Sequence, residues 1–130
     1  MKLQSKAKMI GEYGCLAMCY IYCSGIKEDF AHYMDLISKT MDMRILDSDC
    51  TVLSAQRFIK YVSGRNAQIT KKAISTIEDI KEKTPVRFSR NGFSHWVVVE
   101  NGQIVFDSLD SSKCVKYGTV DSARIIDFLD

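Results

Sequence analysis

The run His95-Trp96-Val97-Val98-Val99 constrains the fold most. Four successive apolar residues, three of them β-branched, belong to a buried strand. Asn101-Gly102 follows and leads into Gln103-Ile104-Val105-Phe106-Asp107, so residues 95–100 and 103–107 read as a hairpin. Val86-Arg87-Phe88 reads as another strand just after the only proline, Pro85, and residues 115–120 and 123–127 as two short ones. Before Pro85 the period changes to that of helices. Residues 14–23 read as a buried helix stopped by Ser24-Gly25. Residues 27–38 read as a second, with Phe30, Tyr33, Met34 and Ile37 on one stripe. After a loop through residues 44–48, Asp49 reads as the N-cap of a third helix that carries Val52, Leu53, Phe58, Ile59 and Val62 and closes at Ser63-Gly64. Residues 74–82 read as a short fourth. Helices followed by an antiparallel sheet make an α+β layout. With no repeat and no linker, residues 1–130 form one domain, long enough for a single core.

Charge and cysteine usage narrow the partners. The net charge is +2 and the lysines are scattered, so the chain lacks the basic, aromatic-laced stripe of a nucleic-acid binder. Five cysteines form an odd set without a CxxC pair. Cys15, Cys19 and Cys23 recur every four residues, a spacing on one helix that suits neither a disulfide nor a zinc site. Cys19 and Cys23 read as small buried hydrophobes, and the usage as a whole indicates a reducing, cytoplasmic setting. A rival lies at the start: Lys2, Lys6 and Lys8 precede an uncharged stretch, residues 13–26, that imitates a secretory core, and Leu16-Ala17-Met18-Cys19 loosely imitates a lipoprotein cleavage box. Glu12, Gly14, Ser24 and Gly25 argue against it, and the stretch falls short of the about 20 residues of a membrane span.

The chemistry-bearing residues stand in the order Cys15, His95, Asp107. Cys15 opens its helix, where the dipole and free backbone N–H groups favour the thiolate, and Gly14 leaves room beside the sulfur. Of two histidines, His32 falls mid-helix, whereas His95 heads the valine strand after Asn91-Gly92, where a site would open. The hairpin decides the third member. A two-residue Asn101-Gly102 turn sets Asp107 opposite Trp96; a three-residue Glu100-Asn101-Gly102 loop sets it opposite His95 and pairs Trp96 with Phe106, Val97 with Val105 and Val98 with Ile104. Cross-strand packing favours the second register, in which Asp107 orients the imidazole, with Asp110 as the fallback.

Gly14-Cys15-Leu16-Ala17-Met18-Cys19, Asp49-Cys50-Thr51-Val52, His95-Trp96-Val97-Val98-Val99 and Phe106-Asp107-Ser108 together resemble the papain-like cysteine peptidases of the bacteriocin-leader-processing type. The likeness is closer still to their small stand-alone and phage-borne relatives. It covers most of the chain in order. It implies a papain-like fold, a helical layer with the nucleophile packed on a sheet with histidine and aspartate, in which Cys15 attacks, His95 is base and acid, and Asp107 orients. Those enzymes place an oxyanion-binding glutamine about six residues before the nucleophile. Met9 stands there in this chain, and Gln4 is the only upstream amide side chain. A lost oxyanion donor costs about 10²–10³ in rate. The expected activity is thus cleavage of a peptide or related amide bond, with a peptide or protein as partner and neither metal nor cofactor in the chemistry. Two other classes remain open: a catalytically weak peptide- or protein-binding module of the same fold, and a small secreted or lipidated protein with structural cysteines.

Overall fold

The computed structural model describes residue 10, residues 13–109 and residues 112–129. Among the described residues the helices α1 (Cys15–Cys23), α2 (Phe30–Asp42) and α3 (Ala55–Ser63) precede the sheet. Strand β1 (Ala67–Ala73) follows, then β2 (Thr84–Arg90), β3 (Phe93–Glu100) and β4 (Gln103–Phe106), a one-turn helix α4 (Lys113–Tyr117) and the long β5 (Thr119–Phe128). The strands form one antiparallel sheet in the order β1-β5-β2-β3-β4. The chain is α+β, as the pattern change at Pro85 indicates.

The valine run is unbroken because β3 is covered on both faces. Trp96 and Val98 join the helix-side core with Tyr20, Ile37, Phe58 and Phe106, while Val97 and Val99 join Val86, Phe88 and Ala123 on the far side. A half-exposed strand would alternate instead. Each fully buried large side chain, such as Phe58 or Ile59 at 0% exposure, is worth about 1.5–3 kcal/mol.

Several element limits differ from those read in the sequence, each for a local reason. α2 begins at Phe30 because the Asp29 side chain accepts the His32 N–H at 3.2 Å, and it runs on to Asp42. α3 is capped by Ser54, whose Oγ accepts the Arg57 N–H at 3.3 Å, and not by Asp49. Asp49 instead accepts the Thr51 N–H at 3.0 Å, a local turn that competes with helix and holds Val52 and Leu53 outside it. Residues 74–82 are not helical. Their Ile74, Ile77 and Ile80, three apart, close the far face of the sheet through turns. That segment also receives the hairpin tip, with Gly102 N–H donating to Ile80 O at 2.8 Å and Asn101 N–H to Lys81 O at 3.0 Å. β1 escapes the pattern reading because it is an edge strand with Gln68, Lys71 and Lys72 facing solvent, the charged edge that blocks stray pairing. Residues 115–120 are not one strand: α4 occupies the first part, and β5 starts only at Thr119. Between them, a Cβ on Gly118 would lie 2.2 Å from Cys114 O and 2.6 Å from Ser89 O, so only glycine fits.

Among the described residues no helix is long and apolar enough to cross a membrane. Leu16 to Cys19 lie inside α1, and Cys19 is fully buried.

Candidate active site

Cys15 is the first residue of α1, directly after the N-cap Gly14. Gly14 donates its N–H to Ile10 O at 2.8 Å, and a Cβ there would sit 2.5 Å from that same oxygen. The glycine is therefore demanded by the backbone entering the helix, which is what sets the Cys15 Sγ in place.

The hairpin brings His95 and Asp107 together by a different route from the one expected. Asn101 (φ 52°) and Gly102 (φ 73°) form a two-residue turn of the primed kind, with Glu100 opposite Gln103 and Val99 opposite Ile104. The three-residue loop is thus wrong. A straight hairpin from this turn would have put Asp107 on the face of Trp96. The register slips between Val98 and Val99, however, so that Val98 faces Phe106 and Val105 is the extra residue. A bulge of this kind reverses the facing of everything beyond it. Asp107, just past the end of β4, now shares the face of His95 and lies diagonal to it. Its Oδ1 is 2.6 Å from His95 Nε2 and also accepts the Leu109 N–H at 2.8 Å, which fixes the carboxylate from its own backbone. Asp110, the fallback orienter, lies outside the described residues, as do Gln4, Met9 and Glu12.

Cys15 and His95 meet at the edge of β3. β4 pairs with β3 only from Val98 onward, which leaves the strand's first residues uncovered on that side. There the Cys15 thiol feels the His95 side chain and the backbone N–H groups of Trp96 and Leu16. Since Nε2 is engaged by Asp107, Nδ1 is the ring nitrogen left for the sulfur. Burial by itself would raise the Cys15 pKa. The hydrogen bond from His95, the two backbone donors and the charge of the imidazolium outweigh it and hold the thiol below its usual value. Burial by itself would likewise lower the His95 pKa, but its hydrogen bonds to Cys15 and Asp107 and their charges hold it above the ordinary imidazole value. The shifts are opposite in sign because each partner favours the charged form of the other, and Asp107 adds to the effect on His95.

The other thiols of α1 differ. Burial pushes Cys19 well above the usual thiol value, and burial pushes Cys23 up to about 12. None of the five cysteines is in a disulfide. His32 stays on the exposed face of α2, with no part in this cluster. No group of three or more His, Cys, Asp or Glu among the described residues is placed to hold a metal ion.

Cys15 opens onto a cleft of about 940 Å³ between the start of α1, the loop of residues 49–56 and the sheet. In that loop Cys50, buried, holds φ 68°, an unusual left-handed conformation for a cysteine, and Leu46 bridges to Val52. The segment Asp49-Cys50-Thr51-Val52 is thus a wall of the cleft and not the first turn of a helix. The sequence reading passed over Lys71 and Arg124, which also line it. Lys71 lies in an edge strand where only Ala67 and Ile69 are not exposed, a weak signal, and Arg124 lies on the interior strand β5.

A family model matches residues 1–128, and the chain belongs to that family, described as Protein of unknown function, DUF261. No curated protein and no solved structure matches it significantly.

Proposed function

We propose that this DUF261 chain is a cysteine hydrolase of papain-like type that cleaves a peptide or related amide bond, with Cys15 as nucleophile, His95 as acid and base, and Asp107 as the residue that orients His95. The observation that carries the reading is the chain of contacts from Cys15 through His95 to Asp107 at the mouth of a cleft, with thiol and imidazole shifted in opposite directions. In the proposed reaction Cys15 Sγ attacks the amide carbonyl carbon and the imidazolium gives its proton to the departing amine, leaving a thioester. Water then gives a proton to His95, adds to the thioester carbonyl and releases the acid, and the thiolate–imidazolium pair returns. The Cys15 N–H at the start of α1 is suited to the oxyanion. The resemblance to leader-processing peptidases and their phage-borne relatives supports the same reading and suggests bacterial peptide as substrate.

The test is turnover of a peptide library, read by mass spectrometry, for wild type and for Cys15→Ala, His95→Ala and Asp107→Asn, each with its thermal unfolding curve. Cleavage by wild type that disappears in the first two variants, with folding retained, supports the reading. Wild type that binds peptides without cutting them supports the weak, peptide-binding alternative. Loss of stability in all three would make these residues structural.

A further inference from the structure

The sheet wall of the cleft that Cys15 opens onto carries two cations. Lys71 on β1 and Arg124 on β5 are direct cross-strand partners, so their side chains leave the same face of the sheet. Both line the cleft with Cys15 and Trp96. The Arg124 guanidinium lies 4.6 Å from the centre of the Trp96 ring, and its Nη1 donates to Ser122 Oγ at 2.8 Å. These neutral partners fix the group without cancelling its charge. Asp121 is bound at 2.8 Å by Arg87 Nε and at 2.7 Å by Ser89 Oγ, and Arg124 influences it less than these do. Lys71 is exposed. Among the described residues lining the cleft the one carboxylate is Asp49, which is tied to Thr51 within its own loop.

A guanidinium stacked on an indole and paired with an ammonium suits a carboxylate, which the planar fork of arginine binds through two N–H groups. We propose that Lys71 and Arg124 form a specificity subsite for a carboxylate beside the scissile bond, either an acidic side chain or a chain terminus. The inference deepens the hydrolase reading and rests on it for the position of the scissile bond. The subsite itself is a matter of binding and is measurable without turnover.

Trp96 is the only tryptophan in the chain, so its fluorescence reports what enters the cleft. Cys15→Ala protein is titrated with acetyl-Ala-Glu-Gly-Ala-amide, with the same peptide carrying Gln for Glu, and with that Gln peptide ending in a free carboxylate. One of the two anionic peptides is expected to act at a concentration at least about tenfold below that of the neutral one, and which of them does so separates side chain from terminus. The gap should shrink at about 0.5 M salt, where exposed charges are screened, and vanish in Lys71→Glu and in Arg124→Gln. Coincident curves for the three peptides, or a preference that survives both substitutions in folded protein, overturn the subsite. Iodoacetamide labelling of the wild type reads the premise separately. Selective labelling of Cys15 without an acidic preference removes the subsite and keeps the nucleophile. An acidic preference without selective labelling keeps the subsite and removes the nucleophile.

Discussion

The first turn of α1 and its interior hold the same functional group under nearly the same cover, and they treat it in opposite ways. Cys19 and Cys23 follow Cys15 at one-turn intervals on a single nine-residue helix, and burial acts on all three in the same direction. Only at the helix start does something outweigh it, because Cys15 alone meets the imidazole of His95 together with the backbone N–H groups of Trp96 and Leu16. Burial alone therefore does not make a thiol inert, and a helix alone does not make it reactive. What separates the two regions is the uncovered stretch of β3 that lets His95 and the Trp96 N–H reach the sulfur.

The largest expected effect is the contrast in reactivity itself. Iodoacetamide near neutral pH should alkylate Cys15 at least about a hundredfold faster than Cys19 or Cys23, since each unit of pKa changes the thiolate fraction about tenfold. Timed quenching and peptide mapping give the three rates. His95→Ala should bring Cys15 most of the way toward the other two. Equal rates in the wild type would erase the difference between the regions and with it the nucleophile.

Next in size is a change of facing just beyond the bulge. Val105 is the unmatched residue of β4, and Phe106 opposite Val98 restarts the ladder. One alanine inserted between Phe106 and Asp107 leaves that pair in place and should turn the Asp107 carboxylate toward the face of Trp96. Turnover should fall about as far as when an orienting carboxylate is neutralised, which in a serine triad reaches about 10⁴. The His95 ring proton resonances should show the loss of the 2.6 Å contact. Retained turnover in folded protein would mean that the carboxylate reaches His95 independently of the register.

This bulge also marks where sequence reasoning stops. The layer order, the helix carrying Cys15, the hairpin and the identity of Asp107 as partner of His95 were all legible, because periodicity, a glycine stop and an Asn-Gly turn are local signals. The register was not. Packing preference alone chose a three-residue loop, whereas the chain uses the favoured two-residue turn and corrects the facing four residues later at Val105. The pairing was right for a wrong reason. A similar limit applies to residues 49–54, where an Asp that looks like a helix cap makes a turn with Thr51, since the choice between the two rests on the tertiary bridge of Leu46 to Val52. Edge strand β1 was missed because half of its pattern serves solvent, and with it went the cleft residue Lys71.

A smaller effect concerns pH. Activity that needs thiolate and imidazolium together rises as Cys15 ionises, below the usual thiol range, and falls as His95 loses its proton, above the usual imidazole range. Asp107 is one of the groups holding the His95 pKa up. In Asp107→Asn the alkaline limb should therefore move to lower pH, while the acid limb moves little, because Asp107 is not among the influences on Cys15. A kcat/KM profile on a cleaved peptide measures both limbs. An alkaline limb that stays in place would assign it to a group other than His95.

The smallest expected effect is a control next door to the site. Ser108 Oγ is buried and has no hydrogen-bond partner among the described residues, although Ser108 directly follows Asp107. An unsatisfied buried hydroxyl contributes nothing that alanine would lose, and its removal relieves a desolvation cost of about 1–3 kcal/mol at most. Ser108→Ala should thus leave thermal stability unchanged or slightly raised, and should leave the alkylation ratio of Cys15 to Cys19 where it was. A marked drop in that ratio would show that the hydroxyl helps to hold the carboxylate at His95. The contrast between the two ends of α1 would then depend on one more residue of the hairpin than the present contacts require.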